Sequence, residues 1–236
     1  MFGKKIKGPL TIHLDEDQFC TTWSALQKNC AHNFHLNNDA NYFNYIKQDG
    51  IFYTKPLIGK VYPFSEDPSK EGSRRTKKTF DSVQVIVVSK GALLKMKWGC
   101  ADVPMRGNDG TPYYVGAHGT FFLQMDLFDG GVQASKFITQ VASQGDGNVT
   151  DQKLREKLLE AYEAQVADAF QTALRESEYS FEDVMHFGLT PDQVLAISKS
   201  AYEKVKSIFS KTGFALHEFS ANSIVDKTIT IRKANV

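Results

Sequence analysis

Four side chains that bind soft or borderline metals fall within sixteen positions near the start of the chain: Cys20, Cys30, His32 and His35. Thiolate and imidazole are common zinc ligands, but structural zinc sites usually pair their ligands two to four residues apart on both sides. Cys20 and Cys30 are not so paired, and the spacing predicts no bound metal. A second candidate is Gly116-Ala117-His118-Gly119, whose glycines suggest a tight turn with accessible amides. A phosphate cradle needs those amides at the start of a helix, whereas the residues after Gly119 read as a strand, so turn geometry suffices. Lys97-Trp98-Gly99 sets a flat ring beside a residue that admits close backbone approach. That suits a binding turn, or more commonly a packed sheet residue beside a bulge.

The remaining chemistry to weigh is hydrolytic. Asp102, Asp109 or Asp126 beside His118 would supply an imidazole with an acid partner. Yet no Ser stands in a G-x-S-x-G elbow, no Walker or dinucleotide glycine pattern occurs, and no carboxylate pair is placed for acid and base work. His186 and His217 also stand without a motif. The expectation is a chain with no catalytic residue and no cofactor. A small-molecule or metal-binding module built on the His-, Tyr- and Asn-rich segment 29–45 is the alternative, and it requires a pocket lined by His32, His35, Tyr42 and Tyr45.

Composition narrows the partners. With 42% apolar and 23% charged residues the 236-residue chain can bury a sizeable core, and a net charge of +1 argues against nucleic acid as a partner. No apolar run approaches the roughly 20 residues of a membrane-spanning helix. Three scattered cysteines fit a reducing compartment, and Met1 to Lys7 shows neither a secretion nor a myristoylation signal, so a cytoplasmic location is expected. Lys4, Lys5, Lys7, Arg74, Arg75, Lys77 and Lys78 belong to a region with twelve basic against eight acidic residues in the first 80. Each such charge contributes on the order of 1 kcal/mol near an anionic leaflet, which makes a peripheral contact at the inner membrane face a candidate role. A solvated loop is the competing reading. Residues 150–212 carry the opposite bias, eleven acids to eight bases, which favours head-to-tail contact between copies.

The elements that must position these residues change period partway along. Ile6, Leu10, Ile12 and Leu14 alternate loosely as one or two short strands, Thr21 or Thr22 is a candidate cap for a short helix through Lys28, and 51–54 reads as a strand after Asp49-Gly50. Residues 65–78 contain no apolar side chain and read as a solvated loop. Three strands follow, over 82–89, 92–98 and 119–128, with a hairpin predicted at Lys90-Gly91 and a turn over 107–119. Beyond them the period becomes 3.6. A helix is predicted over 133–142, then a long one capped by Thr150 with a stripe of Leu154, Leu158, Ala161, Tyr162, Val166, Ala169, Phe170 and Ala173. A short helix follows Ser180. Thr190-Pro191 with Gln193 opens another that runs to about Lys211, stopped at Gly213, before strands over 214–219 and 228–231.

This order of elements resembles the SPFH domain, or band 7, of stomatins, prohibitins and flotillins, and is most similar to its soluble virion-core-protein-like bacterial branch. Val85 to Gly99, Tyr114 to Phe121 and Lys211 to Phe219 carry the resemblance, which covers about Val83 to Val225. It implies an α+β fold in which an antiparallel, sheet-rich N-terminal part packs with two long amphipathic helices and a closing C-terminal strand. Residues 1–80 would form a strand and loop region and 81–236 the SPFH-like core of one continuous globular unit. It further implies a non-enzymatic scaffold that self-associates and recruits partner proteins near a membrane; separately, the exposed edge expected of an open antiparallel sheet is a template for pairing with another copy. The sequence departs from the membrane-bound members in two expected features, an N-terminal apolar anchor and a long coiled-coil tail, neither of which is read in it.

Overall fold

The computed structural model describes residues 8–10, 14–24, 34–37, 41–48, 51–57, 60–61, 84–128, 131–144, 147–185 and 189–228. Their strands are β1 (Gly8–Leu10), β2 (Cys20–Ser24), β3 (Phe34–Asn37), β4 (Tyr42–Gln48), β5 (Ile51–Leu57), β6 (Lys60–Val61), β7 (Gln84–Ser89), β8 (Leu94–Arg106), β9 (Pro112–Met125) and β10 (Phe214–Asp226). Their helices are α1 (Val132–Ser143), α2 (Asp151–Glu176), α3 (Phe181–Met185) and α4 (Pro191–Phe209). The class is α+β. Asp49-Gly50, residues 65–78 and the strand predicted over 228–231, beyond Thr228 itself, lie outside the described residues. The chain divides into two compact units, Met1–Ala92 with Met125–Leu154, and Leu93–Gln124 with Arg155–Val236.

In the first unit β2, β7, β4 and β5 lie side by side in that order, and β1, β3 and β6 form a second, smaller sheet. Val85, Ile86, Val87 and Val88 are all buried, so β7 has no wet face. A strand of that kind belongs in the middle of a sheet. Both its edges are taken, Val88 pairing with Cys20 of β2 and with Phe43 of β4. The hairpin predicted between 82–89 and 92–98 therefore does not form, and β8 pairs with β9 instead. Lys90 donates its N–H to the Asn41 carbonyl and Ala92 to Ser89 Oγ, turning the chain out of β7. Thr21 and Thr22 cap no helix either. They pair with Val87 and Ile86 in β2, where β-branched side chains suit a strand better than a helix.

α1 and α2 start within a residue of the predicted positions. Thr150 Oγ1 accepts the Lys153 N–H at 3.3 Å, as a cap should. The Asp151 carboxylate does more than complement the helix dipole: it accepts the N–H groups of Phe19 at 3.0 Å and Cys20 at 2.7 Å, both in buried residues.

In the second unit β9 lies between β8 and β10. The β8–β9 turn is shorter than predicted, because pairing runs from Leu94 opposite Leu123 to Arg106 opposite Pro112 and leaves only Gly107 to Thr111. Asp109 holds it, accepting from both the N–H and the hydroxyl of Thr111, with Gly110 at φ 78. Gly116 to Gly119 thus lie inside β9 rather than in a turn. At Gly119 a side chain would collide with the Ser220 carbonyl and fall 2.7 Å from Trp98 Nε1, so glycine here lets β10 close over the indole. Trp98 is 3% exposed, its ring centroid 4.6 Å from Phe170 of α2 and 5.0 Å from Phe219 of β10, and its N–H is donated to the Ser220 carbonyl. A register shift follows between Cys100 and Val103, so the core reading of this Trp beside a bulge holds.

α4 opens with the predicted capping box: Gln193 donates its N–H to Thr190 Oγ1, and the Gln193 side chain accepts the Thr190 N–H at 2.8 Å. It ends at Phe209, two residues before the predicted stop, with Gly213 at φ 82. Replacing Thr190 by alanine is expected to destabilise the protein by about 1 kcal/mol. Urea unfolding followed by circular dichroism measures it, and a midpoint equal to that of the native chain would show that the box contributes nothing.

Candidate functional site

Two surface features stand apart from what the fold itself requires, one in each unit. The first is the turn after β9. Leu127 is 52% and Phe128 97% exposed, and Val132 at the start of α1 is exposed as well. Scattered exposed apolar residues are ordinary, but three within six positions make a patch. The tip is braced: Asp126 Oδ1 accepts the Phe128 N–H at 2.9 Å, and behind it the Gly131 carbonyl accepts the buried Tyr45 hydroxyl at 2.7 Å. Gly131 takes φ 82 and its missing side chain leaves room for Phe43 and Tyr45, so glycine is required there.

The second feature is a groove of about 500 Å³ between α2 and α4. Ala164, Ala169, Thr172 and Ile208 line it with short or apolar side chains, and Gln165, Asp168 and Lys204 complete its wall. Residues 165, 168, 169 and 172 recur on one face of α2 at helical spacing, while 204 and 208 stand one turn apart on α4. Below the groove the helices are held by Tyr162 edge-on to Phe209, with centroids 5.3 Å apart. Lys204 Nζ lies 3.0 Å from the Glu176 carboxylate, which ties its side chain across the gap. Ala161, counted in the buried stripe from its spacing, is exposed; Leu158, Val166, Phe170 and Ala173 are buried as expected.

Sheet edges bear on how a second chain could join. β8 is an edge strand among the described residues. Lys95 and Lys97 are exposed on it, Pro104 has no N–H to offer, and the shift between Cys100 and Val103 includes Asp102 at φ 59. Charges, proline and a bulge are the devices that discourage strand addition.

The residues first singled out for chemistry are dispersed. Cys20 is buried in β2, His35 lies in β3 opposite Pro9, and Cys30 and His32 lie outside the described residues. Tyr42 and Tyr45 are three apart on β4, which sends them to opposite faces, and the Tyr45 hydroxyl is engaged by Gly131. His118 is exposed in β9 opposite Gly99, while Asp109 serves the turn at Thr111 and Asp126 the tip at Phe128. His217 is exposed in β10; His186 lies outside the described residues. So do Lys4, Lys5, Lys7, Arg74, Arg75, Lys77 and Lys78. Burial raises the Cys100 thiol above its ordinary value, against a smaller opposing effect of a hydrogen bond with the Ala117 backbone. The Ser180 hydroxyl and then its N–H lower Asp183, a capping arrangement at the start of α3.

Among the described residues no group of three or more His, Cys, Asp or Glu side chains is arranged to hold a metal ion, and no helix is long and apolar enough to cross a membrane. The signal for the tip was present in Asp126-Leu-Phe-Asp129-Gly-Gly131, two apolar residues between acids with glycines behind, which reads as a turn rather than the end of a strand. No protein-family model matches the chain and no curated protein is significantly similar to it.

Proposed function

We propose that the chain is a non-enzymatic assembly domain of the SPFH type, which self-associates and in that form holds partner proteins. The observation that carries the reading is the exposed Leu127–Phe128 tip beside Val132, an apolar surface the fold does not use. Aromatic side chains presented on a braced turn are typical anchors of protein interfaces. The SPFH type is suggested by the resemblance of Val85 to Gly99, Tyr114 to Phe121 and Lys211 to Phe219, within a chain of the α+β class. The guarded edge of β8 favours contact through side chains over strand addition there.

Size-exclusion chromatography with light scattering, run over a dilution series, tests it. The expected result is a mean mass that rises above that of one chain at roughly tens of micromolar, the range where interfaces at the small end of the size scale populate. A single-chain mass throughout the series would remove the proposal.

A further inference from the structure

We draw no further inference here: the strongest candidate, the groove between α2 and α4 lined by Ala164, Ala169, Thr172 and Ile208, carries none, because Lys204 on its rim is already paired with Glu176 and nothing in the structure shows what covers it.

Discussion

Trp98→Ala is expected to destabilise the protein by about 3–5 kcal/mol, the range for deleting a large buried aromatic side chain. The indole sits between Phe170 and Phe219 and binds α2 and β10 to β8, so its loss opens a cavity at the junction of three elements. It also leaves the Ser220 carbonyl without the Trp98 N–H. Trp98→Phe should cost less, because a ring still fills part of the space while the hydrogen bond is gone. Urea unfolding of all three proteins, followed by circular dichroism in the helical band, gives the comparison. A loss below about 1 kcal/mol for the alanine variant would mean that the neighbouring rings collapse into the space, contrary to the close packing expected of an interior.

Asp151→Ala is the second large effect. Two N–H groups, those of Phe19 and Cys20, lose their acceptor, and each buried donor left unsatisfied costs about 1–3 kcal/mol. The first turn of α2 also loses the negative charge that its dipole favours. Asp151→Asn keeps one acceptor oxygen and should fall between alanine and the native residue. Amide hydrogen exchange at Phe19 and Cys20 reads the contact directly: exchange should quicken at these two sites in the alanine variant. Unchanged protection there would show that the contact is not what holds residues 19 and 20 in place.

These two residues also mark where sequence reading stops. Asp151 was legible as a first-turn acid because helix dipole and cap act over one turn, but its partners lie more than 130 positions away. Trp98 was legible as a sheet-packing residue beside a bulge, whereas the need for glycine at 119 depends on β10, which arrives about 100 positions later. The groove had no local signature: Ala169 falls in the buried stripe, and an alanine at 164 reads equally well as a helix former on a buried or a wet face.

What the chain determined by itself was its helices, their caps and the change from period two to period 3.6. Those depend on contacts within four residues, such as Thr190 with Gln193, where the chain pays little entropy to bring the groups together. Strand partnership was decided by the tertiary structure alone. Backbone N–H and C=O groups are the same at every position, so adjacency at Lys90-Gly91 could not tell β7 to prefer β2 and β4 over β8. Burial on both of its faces made that choice, and burial exists only once the whole unit has closed around the strand.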